Sequence, residues 1–245
     1  AERRSAEICG GQQMKKYIRA YKLFLGELPC KQALYSLVIV AILCVMFCVE
    51  YILGGGSDFV MGLFHGIAAM IGPIAALWGT SLLIALYNTC SPETPGYKFF
   101  RCIPDGRMQF SRAIVTGNTF VAITSIALLF LAYMLFRLAD YNISGVLLGI
   151  LIMPIAAGFV NFAVFIKRNT ARMVLMILIL TIPGFTSGFM VGMSEDGGLT
   201  LADMVANNCL PFLIILAAGL VFFAVSVIMA VKYARKKWGV DKCAD

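Results

Sequence analysis

Six runs of about twenty or more apolar residues each dominate this chain: residues 33–53, 60–87, 113–136, 145–166, 173–193 and 211–231. A helix rises ~1.5 Å per residue, so each run is long enough to cross the ~30 Å hydrocarbon core of a bilayer. Together they take more than half of the 245 residues and leave no room between them for a soluble domain. Composition agrees. The chain is 60% hydrophobic and 13% charged, with a mean hydropathy of +0.88, whereas soluble domains carry roughly 45–50% apolar and about 25% charged residues. The expected fold is therefore all-α: a polytopic membrane protein with six transmembrane helices. Backbone amides in lipid must be satisfied within each helix, which excludes open sheets at that depth.

The charges set the orientation. Lys and Arg cluster before the first span (Arg3, Arg4, Lys15, Lys16, Arg19, Lys22, Lys31), between spans two and three (Lys98, Arg101, Arg107, Arg112), between four and five (Lys167, Arg168, Arg172), and in the tail (Lys232, Arg235, Lys236, Lys237, Lys242). Of the 20 basic residues, only Arg137 falls on the other side, which instead carries Asp58, Asp140, Glu195, Asp196 and Asp203. Short loops rich in Lys and Arg stay cytoplasmic. Both termini are thus expected in the cytoplasm and the number of spans is even. The net charge of +7 follows from this topology and does not call for nucleic acid as a partner.

The domain reading is one six-helix transmembrane unit over residues 14–237, preceded by a disordered or upstream segment at 1–13 and followed by a cytoplasmic tail at 238–245. Within it, residues 14–28 form an amphipathic helix. Lys15, Arg19, Lys22 and Gly26 share one face, and Tyr17, Ile18, Tyr21, Phe24, Leu25 and Leu28 the other. A short helix of this kind lies in the interface plane, and Pro29 ends it before the first span. It either anchors the topology or acts as a lever on the first span.

Three further segments carry information. The loop 88–112 is broken by Pro92, Pro95, Gly96, Pro104 and Gly106, and between them stand Tyr97, Lys98, Phe99, Phe100 and Arg101. Three rings interleaved with two cations suit either headgroup level or a groove on a partner protein. On the fifth span, Gly184, Gly188 and Gly192 make a smooth face for close helix packing or a conduit wall. On the outer side, Glu195 and Asp196 precede a short helical segment containing Asp203, too polar to span and fit for a surface or re-entrant position.

Catalytic chemistry is sparse. The sequence has no GxxxxGK[ST] phosphate loop, no HExxH and no nucleophile–base pair. His65 and Glu50 are the only ionisable groups inside the runs, and both lie near outer ends. An enzyme or an ion-driven carrier is therefore not expected. Asn118, Thr119, Asn161, Thr181 and Thr186 are expected to bond neighbouring helices. The 8 cysteines contain no CxxC pair, and only Cys209 falls on the outer side, so no outer disulfide is expected within one chain. Asn142-Ile143-Ser144 matches a glycosylation sequon and is expected to go unused.

Six spans, an N-terminal interfacial helix, the run Pro95-Gly96-Tyr97-Lys98-Phe99-Phe100-Arg101 between spans two and three, and a short outer helix before span six resemble the transmembrane subunit of ABC-2 type (type V) ABC exporters. The resemblance covers about Met14 to Lys237 and points toward the bacteriocin- and lantibiotic-immunity kind. It implies a homo- or heterodimer of permeases in the bacterial plasma membrane, each contacting a separate ABC ATPase subunit that holds ATP and Mg, with no cofactor on this chain. Tyr97–Arg101 would be the coupling segment and Lys15, Arg19, Tyr21, Lys22 and Phe24 would lie on the connecting helix. Gly184, Gly188 and Gly192 would pack at the conduit, and Glu195, Asp196 and Asp203 would belong to the outer re-entrant segment. That segment is shorter and more polar than in the lipid-linked polysaccharide exporters, so peptides or small amphiphiles are the expected cargo. Two alternatives stand beside it: the substrate-binding subunit of an energy-coupling-factor vitamin importer, and a non-transport assembly factor.

Overall fold

In a computed structural model of the chain, the described residues are 2–29, 80–89, 105–138, 143–166 and 201–236, with isolated positions 31, 34, 35, 38, 45, 170, 171, 174, 175, 177–179 and 181. They are nearly all helical, and no strand occurs among them. The helices are α1 (Glu2–Leu25), α2 (Thr80–Asn88), α3 (Gly106–Leu138), α4 (Ser144–Phe162, continued by a 3-10 turn at Ala163–Phe165), α5 (Leu201–Asn207) and α6 (Leu210–Lys236). Among the described residues, three stretches are long and apolar enough to cross a membrane: Gly106–Met134, Ser144–Phe165 and Leu210–Lys236. They contain or closely match the expected third, fourth and sixth spans, and α2 coincides with the end of the second. Most of the first and fifth spans lies outside the described residues.

α1 begins at Glu2, inside the segment that the sequence sets apart, and stops at Leu25 rather than Leu28. Gly26 ends it. Its φ of 58° is left-handed, and its N–H donates to the Lys22 carbonyl at 2.7 Å, an αL cap that glycine adopts without Cβ strain. Gly26 therefore belongs to the cap and not to the basic face.

α3 is the hub, packing against α1, α2, α4 and α6. Its 33 residues run to ~50 Å, so it projects beyond a ~30 Å core. α4 and α6 share the most extensive interface. Pro154 meets Gly219, Gly158 meets Phe222, Asn161 meets Ser226 and Phe165 meets Tyr233. Both numbers rise together, so the two helices run parallel. In contrast, Ser111 near the start of α3 meets Arg235 near the end of α6 (3.2 Å), so α3 opposes them. α4 is the interior helix, with 61% of its most apolar stretch buried, against 11% for α6. In lipid, that leaves α6 with Leu213, Ile214, Leu220, Val221, Val225 and Ile228 exposed.

Packing must come from shape, because apolar burial does not favour one helix partner over lipid. A Cβ added at Gly158 would sit 2.4 Å from the Phe222 ring, and one at Gly219 would sit 3.2 Å from Pro154 Cγ. Each helix supplies the hollow that the other fills. Phe222 also lies against Phe159 and Phe162, with centroids at 5.1 and 5.7 Å. At the far end, the Ser144 hydroxyl accepts the Ala202 N–H (3.0 Å) and so caps α5 from α4. Asn208 Oδ1 accepts the Leu210 N–H (3.1 Å). Pro211 follows in the first turn of α6, where a missing N–H costs little.

Candidate functional site

Two constellations stand out, and both lie toward the end of the bundle where the basic residues collect. Lys15, Lys16, Arg19 and Lys22 on α1, Arg107 and Arg112 on α3, and Lys232, Arg235 and Lys236 on α6 all belong to this end.

The first is the seat of α1. The amphipathic face is real, and what it covers is protein. Ala20, Tyr21, Phe24 and Leu25 are buried against the first half of α3. Phe24 packs against Phe110 (5.4 Å) and Tyr21 against Phe120 (6.3 Å), both with tilted rings, and the Thr116 hydroxyl, 3.0 Å from the Arg112 carbonyl of its own helix, also reaches the Tyr17 carbonyl at 3.3 Å. Gly117 admits this approach: a Cβ there would lie 2.9 Å from Leu83 Cδ2 of α2 and 3.3 Å from Tyr21 Cε2. Three helices thus converge on one glycine. The Tyr21 hydroxyl is buried without a hydrogen-bond partner, and burial raises its ionisation above the ordinary tyrosine value of 10.0. Lys15, Arg19 and Lys22 face away from the bundle and are exposed. Ile18 and Leu28, assigned from the sequence to the apolar face, remain half exposed: Ile18 because the buried arc of α1 is narrower than the apolar one, and Leu28 because it follows the Gly26 cap and lies beyond α1.

The second is a buried polar clasp. Tyr87 of α2, Asn118 of α3, Asn161 of α4 and Ser226 of α6 are each at most 4% exposed. Tyr87 donates its hydroxyl proton to Asn161 Oδ1 (2.6 Å), which also accepts from Asn118 Nδ2 (3.0 Å). Asn161 Nδ2 donates to Asn118 Oδ1 (2.9 Å) and to Ser226 Oγ (3.0 Å). Asn118 and Ser226 send their remaining protons to the Ile114 and Phe223 carbonyls. Both donors and both lone pairs of the Asn161 amide are used. The clasp ties four helices together.

Asn118 and Asn161 therefore bond neighbouring helices as the sequence implies. Among the described residues, the hydroxyls of Thr119 and Thr181 donate to their own helices, Thr119 to the Val115 carbonyl (3.0 Å) and Thr181 to the Ile177 carbonyl (2.5 Å), the local bond open to a threonine at i−4. Tyr87 and Ser226 were not anticipated. One signal existed for the α3 side, where Ser111, Asn118 and Ser125 recur at seven-residue intervals and are all buried. Another existed for the α4–α6 interface, since Ala156-Ala157-Gly158 and Ala217-Ala218-Gly219 repeat one tripeptide on the two helices that pack.

Of the other expected site residues, Asp203 is exposed in the first turn of α5. Tyr97, Lys98, Phe99, Phe100, Arg101, Gly184, Gly188, Gly192, Glu195, Asp196 and Thr186 lie outside the described residues, as do Glu50 and His65. The loop holding Tyr97–Arg101 is flanked by described residues on both sides: α2 ends at Asn88, and α3 begins after Asp105, whose left-handed φ of 56° is a conformation that aspartate tolerates better than most residues. Among the described residues no group of three His, Cys, Asp or Glu gathers to hold a metal. Comparison with protein-family models, with curated proteins and with solved structures finds no match to this chain.

Proposed function

We infer that the chain is the membrane-spanning permease subunit of an ATP-driven exporter of the ABC-2 kind. It would have six spans, both termini in the cytoplasm of a bacterial cell, and a separate ATPase subunit as the energy source. The observation that carries this reading is the junction at Gly117. Tyr21 of α1 and Leu83 of α2 press on the same point of α3, and α2 and α3 are the two helices that flank the Tyr97–Arg101 segment. A push on that segment is thus delivered to both flanking helices and to the interfacial helix together. The clasp then carries it onward, because Tyr87 and Asn118 hold Asn161 and through it Ser226 of α6. The gathering of basic residues at this end supports its cytoplasmic assignment.

In this mechanism, closure of the ATPase pair displaces Tyr97–Arg101, the clasped helices tilt as a unit, and the cytoplasmic side closes while cargo leaves outward. Peptides or small amphiphiles fit the short, polar outer segment. ATP and Mg act on the partner chain.

The test is a mild-detergent purification from native membranes, with mass spectrometry of what stays bound. Recovery of an ATPase subunit with two permease copies supports the exporter. Recovery of a large scaffold membrane protein together with ATPases indicates vitamin uptake, and a chain that comes out alone overturns the coupling mechanism.

A further inference from the structure

Peripheral amphipathic helices usually hold a membrane by sinking their apolar face ~5–10 Å into it. α1 has spent that face on protein: Ala20, Tyr21, Phe24 and Leu25 are buried against α2 and α3. What it leaves outward is a strip of Lys15, Arg19 and Lys22, one helical turn apart and all exposed. None of the three makes an ion pair among the described residues, where the one salt bridge joins Lys31 to Glu27. Beside the strip, Met14 (68% exposed) and Ile18 (45%) present a narrow apolar edge.

Depth identifies what meets this strip. α1 lies against Phe110 to Phe120 of α3, and the apolar run of α3 starts at Ala113. α1 is therefore level with the first turns of the membrane span, not suspended below it. At that level the surroundings are phospholipid headgroups, with acyl chains just above. We propose that Lys15, Arg19 and Lys22 form a binding strip for anionic phospholipid, in which the three cations hold headgroup phosphates and Met14 and Ile18 lie along the upper acyl chain. The proposal does not depend on what the protein transports. Lys232 and Lys236, basic and exposed at the same end, continue α6 past its apolar stretch and serve as the control charges.

The experiment is native mass spectrometry of the purified full chain in detergent, with phosphatidylglycerol and phosphatidylcholine supplied at equal mole fraction. The wild type is expected to retain phosphatidylglycerol selectively. Lys15→Gln/Arg19→Gln/Lys22→Gln should weaken that retention on the order of a hundredfold, since each cation near an anionic surface contributes roughly a fivefold factor. Lys232→Gln/Lys236→Gln should retain it, and raising the salt concentration should weaken wild-type retention. Helix content and elution volume of the triple variant in phosphatidylcholine establish that it is folded. If it is not, Ile18→Ser and the salt series on the wild type decide instead, each expected to lower retention. Equal retention by wild type and triple variant overturns the proposal. So does unchanged lipid retention combined with loss of a co-purifying acidic protein, which would make the strip a protein-docking face.

Discussion

Asn118 and Asn161 exchange hydrogen bonds in both directions across the α3–α4 interface, Nδ2 of each reaching Oδ1 of the other at 2.9 and 3.0 Å. Asn118 lies five residues past the start of the apolar run at Ala113, about 8 Å inward along the helix. Both amides are buried there. A reciprocal amide pair has a single satisfied arrangement, so it fixes the rotation of both helices as well as their separation. Tyr87 and Ser226 attach α2 and α6 to the same amide.

Replacing Asn161 with leucine should cost about 2–3 kcal/mol, because interhelical bonds in membranes average about 0.6 kcal/mol and four are lost, leaving polar partners buried. The double variant Asn118→Leu/Asn161→Leu should cost no more than Asn161→Leu alone, since one apolar side chain then faces another. Unfolding in mixed micelles measures the cycle. A coupling energy below about 0.5 kcal/mol would mean that the pair does not act as a unit.

Gly158→Ala should destabilise by about 1–3 kcal/mol through overpacking, because the new methyl would meet the Phe222 ring at 2.4 Å, whereas Gly219→Ala, with 3.2 Å to Pro154 Cγ, should cost less than half as much. Adding Phe222→Leu to Gly158→Ala should recover most of the loss. Denaturation midpoints of the four variants, wild type included, decide it.

Tyr21 makes stability depend on pH at the alkaline end. Its hydroxyl is buried without a partner, and desolvation raises its ionisation above 10.0. The unfolded chain therefore releases this proton as pH passes about 10 while the folded chain keeps it, so folding stability is intact below pH 10 and falls above it, by up to about 1.4 kcal/mol per pH unit. Tyr21→Phe should remove this part of the slope. It should also add up to about 1 kcal/mol at neutral pH, since an unsatisfied hydroxyl leaves the interface. Unfolding of both proteins between pH 8 and pH 11 measures the difference in slope.

Under the proposed exporter mechanism, reversing the charges at Lys98 and Arg101 (Lys98→Glu/Arg101→Glu) should abolish export while the variant still inserts and the proposed ATPase partner still hydrolyses ATP. Cargo efflux and phosphate release from one proteoliposome preparation report both. Export that survives unchanged would remove Tyr97–Arg101 from the coupling role.

Hydropathy and charge spacing, read along the chain, already determine that it is helical, that residues 113–136, 145–166 and 211–231 fall on helices long enough to cross a membrane, and that α1 has one apolar and one basic side. Each is a property of one segment and its solvent, so it can be read without knowing any neighbour. The end of α1 is less legible: helical periodicity runs on to Leu28, whereas the left-handed Gly26 caps the helix at Leu25.

Partnership was decided only by the tertiary structure. That α1 spends its aromatic side on α3, that Tyr87 and Ser226 join Asn118 and Asn161, that Thr119 bonds inward to its own helix, and that Gly158 and Gly219 receive Phe222 and Pro154 all depend on which surfaces meet. Within lipid, every apolar face is equally at home against an acyl chain, so hydrophobicity cannot choose between partners. The choice falls to small residues that admit a neighbour's side chain and to polar groups that must be satisfied, and both require a second helix for their meaning.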